Sequence, residues 1–361
     1  MINISLHQTK KIIKIVSINL ILIVAILSLV EGLSSILLMF YRISKIQPNP
    51  AHLYAQYDEL LGWVNIPNVD IPNMYGEGIY FRTNSQSFRN NEDFTINIPP
   101  NKVRIICSGD SFTMGWGVSN HQTWCQLLTS INQRLQTINM GQGGYGVDQA
   151  YLWYKRDGTK FEHNIQIFAF ITNDFVRMQI ASFVGHGKPL LYLENGELVN
   201  HNFPVPRPSF LFKKITRGSR HIQKLSLFFI LQKLFPQNFK PNNKYVVQTP
   251  AIAMKIFEDL AAINQEKNSK LVVVYLPSRS DYYKNDSNFW RQYLQVELQK
   301  RNIIYIDLIP EFRDKIPNEQ RGKAFLGGDK WHYSVSGNKF IANILYGKLL
   351  SLPEVAVILQ Q

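Results

Sequence analysis

Four short motifs carry the side chains that could perform chemistry, and the first of them contains a serine. Ser111 stands in the run Gly-Asp-Ser-Phe-Thr, shortly after the apolar segment 103–107. A serine at the carboxyl end of a parallel strand lies where α/β proteins place their reactive groups. Its hydroxyl becomes a nucleophile when a nearby base removes the proton. The alternative is that Asp110 or Ser111 only caps the following helix.

A base for this serine is available in the run Asp329-Lys-Trp-His332. A carboxylate three residues before a histidine can fold back and hold the Nδ1–H of the ring. The Nε2 atom is then left to accept a proton from a serine. The alternative is that Asp329 and His332 are two exposed polar residues of a loop.

Two further motifs contain groups that can stabilise negative charge. In the run Asn-Met-Gly-Gln-Gly-Gly-Tyr-Gly, residues 139–146, glycine allows the backbone to approach a ligand and expose an N–H. This run lacks the ending of a phosphate-binding loop and the spacing of a dinucleotide fingerprint. Asn173 follows the apolar segment 165–171, and its amide can donate to an oxyanion. The alternatives are a tight turn for the glycines and an Asx turn for Asn173.

The elements that must position these motifs alternate regularly between extended and helical patterns. The extended runs are residues 103–107, 137–139, 165–171, 271–276 and 303–307, and the helical runs are 123–135, 148–157, 249–267, 289–301 and 336–350. Continuous apolar strands alternating with helices predict an α/β fold whose parallel sheet is covered on both faces. The serine, glycine and asparagine motifs then each lie at a strand end, and the motif with Asp329 and His332 precedes the last helix.

In this order, Ser, Gly, Asn and Asp-x-x-His resemble the SGNH hydrolase family, also called GDSL esterases/lipases, over about residues 100–350. That family has a flavodoxin-like three-layer α/β/α fold. The resemblance implies that Ser111 is the nucleophile and a backbone oxyanion donor. It also implies that Gly144 and Asn173 supply the other oxyanion donors, and that His332 is the base oriented by Asp329. Gly144 is chosen among its neighbouring glycines by its spacing from the preceding asparagine.

The resemblance further implies a serine esterase that acts through an acyl-serine intermediate, with no cofactor and no metal. Its substrate would be an O-acylated glycan or lipid. One alternative is an O-acyltransferase that modifies a cell-surface polysaccharide with the same residues. Another is a non-catalytic binding protein on the same fold, which the complete set of motifs argues against. The segment 81–89 is similar to the membrane-anchored bacterial members of the family.

The N-terminus predicts a membrane anchor. Residues 15–41 contain a single charge, Glu31, and three lysines precede them. A helix of this length spans roughly 40 Å, more than the ~30 Å of hydrocarbon in a bilayer. The lysines favour a cytoplasmic N-terminus and an extracytoplasmic catalytic domain. A cleaved signal peptide and a buried core helix are the alternatives.

Charge and composition complete the predicted organisation. The 361 residues carry a net charge of +13, and the 45% of hydrophobic residues exclude general disorder. Residues 199–257 contain ten Lys or Arg and no acid, and nine of the ten lie in a predicted insertion at about 176–248. The apolar run 225–235 predicts a lid, a helix on anionic lipid, a groove for an acidic polymer, or a small helical subdomain. The predicted domains are 1–45 (tail and anchor), 46–100 (linker and extension) and 101–352 (hydrolase domain).

Partners and cysteines follow from the same observations. The predicted partners are the acylated substrate and the membrane, and nucleic acid is not expected for an extracytoplasmic site. With only two cysteines, Cys107 and Cys125, the chain is neither a disulfide-stapled scaffold nor a cysteine-based zinc protein. Both are predicted to be buried, unpaired thiols that behave as small hydrophobic side chains.

Overall fold

The computed structural model describes residues 6–44, 53–183, 185–207, 244–283, 287–316, 322–327 and 332–360. By their internal contacts these fall into two units. The described part of the first unit is one helix, α1 (Leu6–Ser44). The second unit contains the remaining described residues.

Helix α1 includes a stretch that is long and apolar enough to cross a membrane. This stretch, Lys10–Leu33, has a mean hydropathy of 2.7, and none of it is buried. It begins five residues before the predicted start of the span at residue 15. An apolar helix at this position serves either as an anchor or as a signal sequence.

The second unit contains thirteen described strands and ten described helices that are discussed below. In chain order they are β1 (Ala55–Asp58), β2 (Gly62–Asn65), β3 (Asp70–Ile71), β4 (Phe81–Arg82), β5 (Val103–Gly109), α2 (Ser111–Met114), α3 (Trp124–Ile131), β6 (Leu135–Gly141), α4 (Val147–Arg156), β7 (Ile165–Phe170), α5 (Thr172–Arg177), β8 (Ser182–Phe183), β9 (His186–Gly187), β10 (Leu191–Glu194), β11 (Glu197–Asn200), α6 (Lys244–Glu266), β12 (Lys270–Tyr275), α7 (Ser280–Tyr283), α8 (Asn288–Lys300), β13 (Ile304–Asp307), α9 (Ile309–Lys315), α10 (Val335–Leu350) and α11 (Pro353–Gln360).

Five of these strands form one parallel sheet in the order β13-β12-β7-β5-β6. The predicted α/β fold with a parallel sheet is therefore confirmed. Strand β6 is longer than predicted because all seven of its residues pair with β5. Since β5 lies between β6 and β7, the loops after these three strands meet at one edge of the sheet.

The sheet separates two hydrophobic clusters, which makes the fold three-layered. Ile106 on β5 and Phe168 on β7 belong to one cluster, which helices α4, α6 and α8 also line. Ile105 and Ile167 point to the other cluster, together with side chains of α3, α9 and α10. Alternate strand residues face opposite sides of a sheet, so each strand supplies both clusters. We call these the α4 face and the α10 face.

The N-terminal extension packs on the α4 face. Strand β1 pairs with β2, and the short β3 pairs with β4, in both cases antiparallel. Tyr54, Trp63 and Phe81 are buried in the same cluster as the sheet residues of that face. Strand β4 of this extension has only two residues, Phe81–Arg82.

The described part of the predicted insertion contains two β-hairpins that the sequence analysis did not predict. Strands β8 and β9 form the first, and β10 and β11 form the second. Asn195 and Gly196 join the second pair, both with positive φ, as a two-residue hairpin turn requires. Helix α6 begins five residues before its predicted start, and Pro250 lies inside the helix. The apolar run 225–235 lies outside the described residues.

The prediction that the two cysteines are unpaired is wrong. Cys107 and Cys125 form a disulfide whose Cα atoms are 6.3 Å apart, within the ordinary range for such a bond. Cys107 points from β5 toward the α10 face, and helix α3 carries Cys125 against the same face. Sequence spacing alone did not reveal that α3 packs on this face beside β5, where it contacts β6 and α10.

Candidate active site

Ser111 is the first residue of helix α2, directly after strand β5. Asp110 is the N-cap, and its carboxylate accepts a hydrogen bond of 2.8 Å from the N–H of Phe112. The turn requires glycine before it, because a Cβ on Gly109 would lie 2.4 Å from the carbonyl oxygen of Ala169. Asp110 therefore does cap the helix, as the alternative interpretation held, and the same cap places the Ser111 hydroxyl at the edge of the sheet.

The structure brings His332 to this serine. The Nε2 atom of His332 lies 2.8 Å from Oγ of Ser111, across 221 residues of sequence. Ser111 is only 5% exposed. The rings of Phe112 and Trp116 lie 5.1 and 5.9 Å from the imidazole. A serine hydroxyl at this distance can donate its proton to a neutral imidazole nitrogen.

The backbone around His332 is fixed by a short antiparallel contact. The carbonyl of His332 accepts a hydrogen bond of 2.9 Å from the N–H of Leu326, and Phe325 forms a bridge with Tyr333. The Tyr333 hydroxyl donates to the carbonyl of Pro277, at the end of the β12 strand region. Asp329 lies outside the described residues, so its orienting role stays a prediction.

The glycine loop packs directly on the nucleophile helix. A Cβ on Gly141 would lie 2.0 Å from the backbone nitrogen of Met114, so only glycine allows this approach. Gly144 has a φ of +79°. The ring of Phe183, from hairpin β8–β9, lies over Gly144 at the place where a Cβ would point. Trp63 of the extension donates a hydrogen bond of 3.0 Å to the carbonyl of Gly143.

Asn173 is the second residue of helix α5 and is exposed, whereas its neighbour Asp174 is buried. One carboxylate oxygen of Asp174 accepts the N–H of Ile171 at 3.0 Å, which fixes the start of this helix. The structure thus places Ser111, Gly144 and Asn173 in the segments that directly follow three adjacent strands, β5, β6 and β7. Their roles as oxyanion donors remain predictions.

The sequence analysis missed a charged group that joins these loops. Arg177, at the end of α5, donates from Nη1 to the carboxylate of Asp110 at 3.1 Å and to the carbonyl of Tyr145 at 3.0 Å. It also donates to the carboxylate of Asp174. Burial, and then the nearby charge of Asp110, raise the pKa of Asp174 well above its usual value.

A second arginine, also missed, holds the far end of the nucleophile helix. Arg89 of the extension is fully buried, and its guanidinium donates to the carbonyls of Met114, Gly115 and Val118, each at 2.5 Å. Burial lowers the pKa of Arg89, since the charged form loses its water. No local signal in the sequence identifies Arg89, because it stands in the polar run Ser-Phe-Arg-Asn-Asn.

Two other features bear on the chemistry. Among the described residues, no group of three or more His, Cys, Asp or Glu side chains could hold a metal ion. A groove of about 570 Å³ is lined by Arg291, Asp307 and Arg313, among others, and includes none of the predicted site residues. The candidate site is therefore identified by the short distance between Ser111 and His332, and not by this groove.

Comparison with known protein families gives one match. The family model for GDSL-like lipase/acylhydrolase matches residues 105–345, more than half of the chain. No curated protein sequence matches significantly. Among similar solved structures are the acetyl xylan esterase AlAXEase (14% identity, 68% of this chain and 99% of that chain covered, TM-score 0.42) and TesA (10% identity, 70% and 99% covered, TM-score 0.42). Another is a member of the lipolytic G-D-S-L family from Veillonella parvula DSM 2008 (13% identity, 67% and 94% covered, TM-score 0.39).

Proposed function

The chain belongs to the GDSL-like lipase/acylhydrolase family and hydrolyses ester bonds, and we propose that it does so with Ser111 as nucleophile and His332 as base. The observation that carries this proposal is the 2.8 Å distance between His332 Nε2 and Ser111 Oγ. As the serine oxygen attacks the ester carbonyl, its proton passes to Nε2. The imidazolium then returns that proton to the leaving alcohol, and an acyl-serine remains.

Water completes the cycle by the same route. His332 takes a proton from a water molecule, the resulting oxygen attacks the acyl carbonyl, and the Ser111 oxygen leaves with the proton. Each half passes through a tetrahedral intermediate with a negatively charged oxygen. The backbone N–H groups of Ser111 and Gly144 and the side-chain amide of Asn173 would stabilise that charge. Asp329 would hold Nδ1 of His332.

We place the reaction outside the cytoplasm, with α1 as an uncleaved anchor. Two observations support this topology: the three lysines before the apolar stretch, and the Cys107–Cys125 disulfide. Disulfides persist in oxidising compartments such as the periplasm and the cell exterior, and are rare in the cytosol. An enzyme anchored there meets O-acylated glycans and lipids, which are the substrates that we propose.

A kinetic experiment tests the chemistry. The purified protein is incubated with a fluorophosphonate probe, short-chain ester reporters and acetylated glycans. Probe attachment at Ser111, absent in Ser111→Ala, together with ester hydrolysis supports the proposal. Attachment to another serine contradicts it. Labelling of Ser111 without hydrolysis, followed by acyl transfer when a sugar acceptor is added, would identify an acyltransferase instead.

The topology is tested separately. Alkaline phosphatase and green fluorescent protein are fused in turn after residue 45 and expressed in a bacterium. We expect phosphatase activity without fluorescence, and a mature protein that retains residues 1–35. Fluorescence, or a mature N-terminus near residue 35, would contradict an uncleaved anchor with an external domain.

A further inference from the structure

The guanidinium of Arg177 contacts each of the three segments that carry a predicted oxyanion donor. The nucleophile loop contributes the carboxylate of Asp110, which neighbours Ser111. The glycine loop contributes the carbonyl of Tyr145, which neighbours Gly144. Helix α5 contributes the carboxylate of Asp174, which neighbours Asn173. Nη1 of Arg177 donates to all three groups.

The surroundings of Arg177 make this contact rigid. Its side chain is 14% exposed, and those of Asp110 and Asp174 are at most 2% exposed. A buried ion pair without an additional hydrogen bond is easily outweighed by the cost of desolvation. Here the carbonyl of Tyr145 supplies such a bond, so the guanidinium has partners on two loops and on its own helix.

Two more contacts tie the same group to the glycine loop. The Arg177 guanidinium carbon lies 5.2 Å from the centre of the Phe183 ring, which covers Gly144. A Cβ on Gly146 would lie 3.2 Å from Cβ of Arg177, so the loop approaches α5 closely because that residue is glycine. A change in the position of Arg177 would therefore also change the position of the loop that carries Gly144.

We propose that Arg177 is a positioning residue that holds the three donor segments in register, so that their N–H groups converge on one oxyanion. This inference rests on the proposed function of Ser111, Gly144 and Asn173. Arg177 itself touches no reacting atom. Its effect would arise because donors must be placed accurately before the reaction, and a misplacement of about 1 Å can cost on the order of 100-fold in rate.

The competing explanation is that Arg177 only neutralises two buried carboxylates. Two variants separate the explanations. Arg177→Lys keeps a positive charge but places it on a shorter and more flexible side chain, which does not hold the donating nitrogen at the position of Nη1. The double variant Arg177→Met/Asp174→Asn removes one charge of each sign, so the protein can fold without the guanidinium.

We expect both variants to unfold cooperatively near the wild-type temperature. Their kcat values for a short-chain ester should fall by roughly 10- to 100-fold, with KM changed by no more than about 2-fold. Fluorophosphonate labelling of Ser111 should slow by a similar factor, because the probe also forms a charged oxygen at this site. The matched control is Arg156→Lys. Arg156 likewise bridges two aspartates, Asp58 and Asp157. The kcat of the Arg156→Lys variant should stay at the wild-type value.

A double-mutant cycle adds a readout that stability does not affect. If Arg177 registers the donors, Asn173→Ala should cost less in the Arg177→Lys background than in the wild type. Losses that multiply, or folded variants with wild-type kcat and labelling rate, would overturn the positioning role. Failure of wild-type Ser111 to react with the probe would instead overturn the proposed function, so the two failures are distinguishable.

Discussion

Different kinds of interaction hold the two sides of Ser111 in place. On the side of His332, Phe112 and Tyr333 belong to the apolar cluster of the α10 face, which also contains the disulfide. On the side of the glycine loop, Tyr145 and Phe175 belong to the cluster of the α4 face. There the loops are joined by Arg177 and its carboxylates. We call these the base side and the donor side.

The difference teaches how each side keeps its geometry. Apolar packing and a covalent bond are insensitive to pH, so the support of the base side does not depend on protonation. Hydrogen bonds from a guanidinium are directional, and they can fix the distance between loops that share no strand pairing. The donor side is therefore expected to respond to charge and pH, and the base side to lost covalent and apolar contacts.

The largest expected effect is on the base side itself. Ser111→Ala and His332→Ala should each lower kcat by roughly 10⁴-fold or more, and the double variant should lose little beyond either single one. The reason is that neither residue can transfer the proton alone. Steady-state ester hydrolysis measures this. If the fold loss in kcat of the double variant were close to the product of the two single losses, the two side chains would act independently.

A smaller loss is expected from removal of one donor. Asn173→Ala should reduce kcat by about 100- to 1000-fold, equivalent to about 2.7–4 kcal/mol, and leave the fluorophosphonate reaction at Ser111 detectable but slow. The matched control is Asn132→Ala, because Asn132 lies at the end of α3 and contacts Tyr346. A wild-type kcat in the Asn173→Ala enzyme would show that Asn173 is not an oxyanion donor.

The disulfide tests the support of the base side. Replacing both Cys107 and Cys125 by Ala should lower the free energy of unfolding by about 3 kcal/mol, since the bond closes a short loop of the unfolded chain. At temperatures where the variant stays folded, kcat should change little. Urea unfolding followed by fluorescence, with activity measured in parallel, checks both parts. Unchanged stability would indicate that the thiols are unpaired in solution.

The smallest expected effect concerns pH and the donor side. Burial and the charge of Asp110 raise the pKa of Asp174 in the folded protein. Between the unfolded pKa and this raised value, the folded state holds more protons than the unfolded state, so stability falls as the pH rises. Asp174→Asn removes this contribution and should flatten the slope by at most about 1.4 kcal/mol per pH unit.

Urea unfolding of wild type and Asp174→Asn between pH 4 and 7 measures this difference. Burial also raises the pKa of Asp148, and we expect this contribution to be common to both proteins, so that the difference between their slopes reports Asp174. Parallel slopes in the two proteins would show that Asp174 is already ionised throughout this range.

The sequence predicted the parts of this molecule that local pattern encodes. Strands β7 and β12 are largely apolar runs, and β5 begins with one. Ser111 and Asn173 follow β5 and β7 closely. Arg177 was not predictable in the same way, because its partner Asp110 lies 67 residues away and meets it only through the loop geometry. The Cys107–Cys125 bond likewise depends on how α3 packs on the α10 face of the sheet. Hairpin β10–β11 did carry a local signal, the Asn195-Gly196 pair, which the strand–helix pattern obscured.

The most direct test of the account is to trap the acyl-enzyme. The protein is mixed rapidly with p-nitrophenyl acetate, quenched in acid, and digested for mass spectrometry. We expect one acetyl group on the peptide that contains Ser111, and none on this peptide in Ser111→Ala or His332→Ala. Release of the acetyl group in the wild type should match the steady-state turnover. Hydrolysis at the wild-type rate with no acetyl group at Ser111, or with the group on another residue, would contradict the account.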